Sequence, residues 1–321
     1  MAPELTITPP PPATGTRIDW AALPGAVRAW VVAELGSPVV EAATQAGGFS
    51  PGVAARLVCA DGTRAFVKAV GEPLNPHSPQ LHRKEIRLAS VMPEHPALPP
   101  VLATYDDGVW VALLFEDVQG RHPRLPWEPA ELARVLDTLT ELTPLLDPSP
   151  LPADELGDLG QDLSETLAAW PELAAAPPAD LDPWTSKHLD RLAERAATPV
   201  ASGTALVHVD LRADNVLLTA DGRVCVFDWA QATVGPGWSD PTLLMLEVHA
   251  HGGHDVDAII ATHPLTRDAD PEQVTQFVLA VAGLMHRQSR LPAPPGLPKL
   301  RAYQRAYAEA STDWVRRRLG W

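Results

Sequence analysis

The chain has 321 residues, a formal net charge of −15 and 45% hydrophobic residues, so it can bury one large core or build two lobes around a cleft. The acid excess argues against a nucleic-acid partner, which needs clustered Lys and Arg; it suits a cationic small molecule, or plain solubility. No stretch reaches the roughly 20 apolar residues that cross a bilayer, and MAPELTITPPPPATG carries neither the basic nor the apolar region of a signal peptide.

Residues 1–16, with prolines at 9 to 12, read as a flexible polyproline-like lead-in. Residues 17–36 carry Ile18, Trp20, Leu23, Val27, Trp30, Val31 and Leu35, the spacing of an amphipathic helix broken near Pro24. The period then changes. Residues 39–70 read as three strands, turning at Gly47–Gly52 and at Asp61-Gly62. A helix is expected from Ser78-Pro79 to about Met92, then strands over Val101–Tyr105 and Val109–Phe115. After Gly120 helical patterns dominate, at about 129–145, 162–169, 184–197, 239–250, 271–289 and 297–319. The expected fold class is α+β and bilobal: a small antiparallel-sheet N-lobe with one helix over 17–116, and a larger, mainly helical C-lobe over 117–321. Such lobes leave a cleft between them. Cys59 and Cys225 lie far apart in apolar runs, with neither metal nor disulfide spacing, so a reducing, cytoplasmic setting is expected.

One compact β region interrupts the helices, ALVHVDLRADNVLLTADGRVCVFDWA over 205–230. Val216-Leu217-Leu218 and Val224–Phe227 flank the turn Asp221-Gly222, so a hairpin forms with a carboxylate just past each end. His208, Asp210, Asn215 and Asp228 then converge at one edge. Phosphoryl transfer needs such a set: a carboxylate to orient a hydroxyl and take its proton, and hard oxygen ligands for Mg²⁺.

These residues resemble the aminoglycoside-phosphotransferase family, part of the kinase-like fold that includes choline and homoserine kinases. The matching signature is His208-x-Asp210-x4-Asn215, followed by Asp228-Trp229. The resemblance implies a catalytic base at Asp210, a loop braced by His208, and magnesium ligands at Asn215 and Asp228. It departs from the family at Val209, where glycine is usual, which bears on the backbone of that loop.

The upstream order agrees with the resemblance. Gly47, Gly48, Ser50 and Gly52 form a turn whose backbone N–H groups can approach phosphates. Lys68, one of four lysines, ends a strand as the kinase lysine does, and Glu85 on the following helix is its expected partner. Phe115, Glu116 and Val118 resemble the segment that holds the nucleotide base, where backbone groups leave ATP and GTP equally open. Downstream, Asp240 is expected at the start of a helix in a structural role, with Pro241 in its first turn. Trp229 and Trp238 flank the catalytic segment, and Glu247 and Asp255 are candidates to meet a cationic substrate. His249, His251 and His254 are expected as polar helix-end residues rather than a zinc site.

The expected activity is transfer of the γ-phosphate of ATP or GTP, with Mg²⁺, to a hydroxyl of an aminoglycoside or related antibiotic. A metabolite kinase acting on choline, homoserine or a sugar is the alternative, as is a catalytically weak nucleotide- or partner-binding member. A monomer or homodimer is expected.

Overall fold

The computed structural model describes residues 8–45, 47–49 and 51–321. Pro24 divides the first helical pattern into a 3-10 turn at Trp20–Ala22 and helix α1, Gly25–Leu35. Strands β1 (Val39–Thr44), β2 (Val53–Cys59) and β3 (Arg64–Gly71) follow, then α2 (Ser78–Ala89), β4 (Val101–Asp106) and β5 (Trp110–Glu116). The five strands form one antiparallel sheet in the order β1-β2-β3-β5-β4. Alternation along β3 divides its side chains between the two faces. Ala65, Val67 and Ala69 join Leu23, Val27 and Val31 in a buried cluster under α1. Lys68 points to the opposite face, where α2 packs against β3 and β5.

The C-lobe begins with β6 (Gly120–Arg121) and α3 (Pro129–Leu142). Then come α4 (Ala153–Leu156), α5 (Leu159–Leu167), α6 (Ala169–Ala175) and α7 (Pro183–Arg195). Two short sheets interrupt the helices: β7 (Ala205–Val207) pairs with β10 (Thr233–Gly235), and β8 (Val216–Thr219) lies between β6 and β9 (Val224–Val226). The chain closes with α8 (Ser239–His251), α9 (Val256–Thr262), α10 (Pro271–Gln288) and α11 (Leu300–Leu319). Helices α4, α6 and α9 are short and carry no long period, which is why periodicity did not reveal them. The core joins α3, α5, α8, α10 and α11, with Trp170 and Trp314 fully buried. Among the described residues no helix is long and apolar enough to cross a membrane.

The described part of the expected N-terminal tail is tied down. Gly48 donates its N–H to the Ala13 carbonyl at 2.9 Å, Gly15 donates to the Gly48 carbonyl at 2.8 Å, and Thr16 donates to Gly296 at 2.8 Å. The segment therefore lies along the glycine turn, and Pro9 to Pro12 line the cleft.

Candidate active site

Strand β7 delivers His208, Val209 and Asp210 into the cleft. Val209 sits at φ 63°, in the left-handed region. A β-branched residue pays roughly 1–2 kcal/mol there, where glycine would not. The compensation comes from Asp240, whose carboxylate accepts the N–H of His208 at 2.7 Å and of Val209 at 3.0 Å. The loop thus has the backbone geometry of a glycine although it carries valine. Asp240 lies within the first turn of α8 and makes no side-chain cap bond to that helix; its carboxylate is committed to the catalytic loop.

His208 is buried, with Nε2 3.0 Å from the Phe227 carbonyl and Nδ1 accepting the Asp210 N–H at 3.2 Å. Those partners fit the neutral Nε2–H tautomer and commit both ring nitrogens. Asp210 accepts the Asn215 Nδ2–H at 3.1 Å on Oδ2, and its backbone carbonyl accepts from the same nitrogen at 2.8 Å. Arg212 pairs with its Oδ1. Burial raises the Asp210 carboxyl above the ordinary aspartate range, opposed chiefly by the charge of Arg212. Its side chain is still 29% exposed, so the carboxylate is within reach of solvent.

Asp228 follows β9 in a left-handed conformation, φ 69°, which a short polar side chain tolerates. Lys68 Nζ lies 2.7 Å from Asp228 Oδ1 and 2.7 Å from Glu85 Oε2. Burial would lower the lysine, but the two carboxylates outweigh it and hold Lys68 above its usual value. Lys68 likewise outweighs burial at Asp228 and holds that carboxyl well below the aspartate range. At Glu85 burial dominates and raises the carboxyl.

Lys68, Arg212, Asn215 and Asp228 line one cavity of about 780 Å³, together with Gly47, Gly48, Phe115, Glu116 and Val118. Asp210, His208 and Glu85 are not among its lining residues, and Asp210 is tied to it through Asn215 and Arg212. Arg56 donates to the Val118 carbonyl at 3.0 Å. Asn215 uses Nδ2 on Asp210, which leaves Oδ1 as its remaining acceptor, and Asp228 retains Oδ2 beside the oxygen bound to Lys68. Two hard oxygens on residues that line the cavity suit a divalent cation that keeps water and substrate oxygens in its shell.

Several expected residues are not in this cavity. Gly52 does not line it; a Cβ there would lie 2.3 Å from the Ala69 carbonyl, so close strand approach accounts for that glycine. The N–H of Gly48 is spent on Ala13 instead of facing an anion. Ser50 lies outside the described residues. Trp229 packs its ring against His208 and donates Nε1–H to the Val226 carbonyl, so it supports the loop from behind. Trp238 packs against Phe277. Asp255 caps α9 by accepting the Ala258 N–H at 3.0 Å, and it does not line the cavity. Glu247 does line it, but its carboxyl is only 4% exposed and accepts from the Ala213 N–H and Trp127 Nε1–H. Burial pushes Glu247 up to about 8. His249, His251 and His254 bind Asp313, the Glu247 carbonyl and the Trp127 carbonyl, each with its own partner.

Other lining residues escaped the sequence reading. Arg212 lay in view inside the motif. Tyr303 and Tyr307, one helical turn apart on α11, approach from some ninety residues downstream with no local signal. Arg17 comes from the opposite end of the chain.

The model of the phosphotransferase enzyme family matches residues 46–287. No curated protein matches the chain. Among solved structures, a thermostable mutant of aminoglycoside phosphotransferase APH(4)-Ia, in a ternary complex with ADP and hygromycin B, is 15% identical; the match covers 91% of this chain and 98% of that one at a TM-score of 0.59. Choline kinase LicA from Streptococcus pneumoniae is 13% identical, covering 90% and 98% at 0.54. An aminoglycoside phosphotransferase from Alicyclobacillus acidocaldarius is 17% identical, covering 88% and 92% at 0.53. At such identities the likeness is one of fold, and it agrees with the two lobes seen here. Since the family model spans well over half of the chain, the protein belongs to the phosphotransferase enzyme family and is a kinase.

Proposed function

We propose that this kinase transfers the γ-phosphate of ATP or GTP to a hydroxyl of an aminoglycoside or related antibiotic, with Mg²⁺ as the counter-ion of the phosphates. The observation that carries the reading is the meeting of Lys68, paired to Glu85, with Asp228 and Asn215 in one cavity, with Asp210 tied to Asn215 by a hydrogen bond. Asp210 is the group to orient the acceptor hydroxyl and take its proton, and burial, by raising its carboxyl above the ordinary aspartate range, makes it a stronger base. His208 braces the loop, with both of its ring nitrogens engaged by the backbone. Lys68 is the phosphate-facing cation, held in place by Glu85. Asn215 and Asp228 are the residues to hold magnesium, which supplies charge neutralisation on the transferring phosphates. Phe115, Glu116 and Val118 flank the position of the nucleotide base.

The acceptor side is walled by Leu125, His122, His251, Tyr303 and Tyr307 near Arg212. The bound hygromycin B of the APH(4)-Ia structure supports an antibiotic acceptor. The likeness to choline kinase LicA keeps a small amino alcohol as the second reading, which the two tyrosine rings favour through cation–π contact.

The test is acceptor-dependent release of the nucleoside diphosphate across aminoglycosides, other hydroxylated antibiotics, choline, homoserine and sugars. Asp210→Asn should retain nucleotide binding and lose about two to four orders of magnitude in turnover. Near-normal turnover of that variant would remove Asp210 from the role of base.

A further inference from the structure

The cations lining the cleft differ in how they are compensated. Lys68 lies between Glu85 and Asp228, Arg212 between Asp210 and Asp214, and Arg56 against Asp117. Lys68 and Arg212 are each outnumbered by carboxylates, and Arg56 shares its carboxylate with Arg64, so each of the three is already engaged by acid. Arg17 is different. Among the described residues it has no carboxylate partner. Its Nη2 donates to the Gly47 carbonyl at 2.6 Å, and its Nε is buried with no hydrogen-bond partner among the described residues. A guanidinium has five N–H donors, and an unsatisfied buried one is costly unless a ligand completes it.

Its position is set by the backbone. Arg17 bridges Gly52, and the next residue, Ile18, donates its N–H to the Gly52 carbonyl at 3.1 Å. The side chain then lies over the glycine turn: a Cβ added to Gly48 would meet Arg17 Nη2 at 3.0 Å. This is the turn whose Gly48 N–H is spent on Ala13, so a donor expected from the loop backbone is missing where a spare guanidinium is present.

We propose that Arg17 is a phosphate-binding residue of the nucleotide site, a cation that the N-terminal segment supplies to the glycine turn. The inference rests on the nucleotide reading above and extends it to a residue outside the segment matched by the family model. Arginine suits the role because its planar fork binds phosphate oxygens in pairs. Burial lowers Arg17 and the Asp228 charge raises it, which agrees with a guanidinium enclosed on the phosphate side of the cleft.

The experiment is calorimetric titration of the full chain with Mg-ATP, ADP and adenosine, for the parent, Arg17→Ala and Arg17→Gln. The glutamine variant can still donate to Gly47 while removing the charge. Both variants should lose about ten- to a hundredfold in affinity for ATP, with adenosine binding unchanged. Arg17→Lys should recover part of the loss. Unchanged ATP affinity in both variants overturns the inference alone. So does a parallel loss of adenosine and ATP, which would make Arg17 a staple for the N-terminal segment. A parent chain that binds no nucleotide overturns the proposed function and this inference together.

Discussion

Lys68 and Asp228 stand 160 residues apart in the chain, yet Nζ and Oδ1 lie 2.7 Å apart across the two lobes. Glu85 completes the bridge from the helix behind. The lysine is thus held by two carboxylates, one from each lobe.

Removing the lysine should therefore affect stability as well as activity. Lys68→Ala leaves Glu85, 3% exposed, without its cation. Breaking a buried pair in this way costs about 3 kcal/mol or more, which urea denaturation at neutral pH would read. Lys68→Ala with parental stability would show that Glu85 protonates without penalty.

Val209 and Asp240 make a second testable pair. Asp240→Ala strips the acceptor from the N–H groups of His208 and Val209, and should destabilise the fold by about 3 kcal/mol and suppress turnover by misplacing Asp210. Val209→Gly should leave turnover within a few-fold of the parent, since the backbone already has glycine's conformation. A collapse of activity in the glycine variant would mean that the valine side chain, not the backbone, sets the loop.

With Asp210 as the proposed base, Arg212 should set the acid side of the pH profile. Its charge lowers the Asp210 carboxyl, which burial raises. In Arg212→Gln that opposition is gone, so Asp210 protonates at higher pH and the acidic limb of kcat moves upward. The pH dependence of kcat in parent and variant checks this; a limb that stays in place would separate Asp210 from the titration that governs turnover.

Glu247 gives a pH dependence of stability. Its folded pKa is raised to about 8 from the model-peptide value of 4.5. Between those values the unfolded chain has released this proton and the folded chain retains it. Stability from this group is therefore full below the lower value and is lost as pH rises towards about 8. Melting temperature followed from about pH 5 to pH 8 should fall less steeply in Glu247→Gln than in the parent. Equal slopes would show that Glu247 is already ionised in the folded protein.

Local pattern determined much of this protein. The strand period and the Asp61-Gly62 turn mark the N-lobe sheet, Pro24 breaks the first helix, and the spacing of His208, Asp210, Asn215 and Asp228 announces phosphoryl transfer, because each of these signals is written within a few consecutive residues. Lys68 and Glu85 were legible as partners through the resemblance of this strand and the helix after it to the family's pair, and the structure joins them. Tertiary structure alone decided the rest. It sent Asp255 to a helix cap and Trp238 into the C-lobe core, and it turned Asp240 towards the catalytic loop. It also brought Arg17, Tyr303 and Tyr307 from the two ends of the chain to the same cleft. Those outcomes depend on how lobes and helices pack, and packing joins residues whose separation along the chain leaves no periodic or local trace.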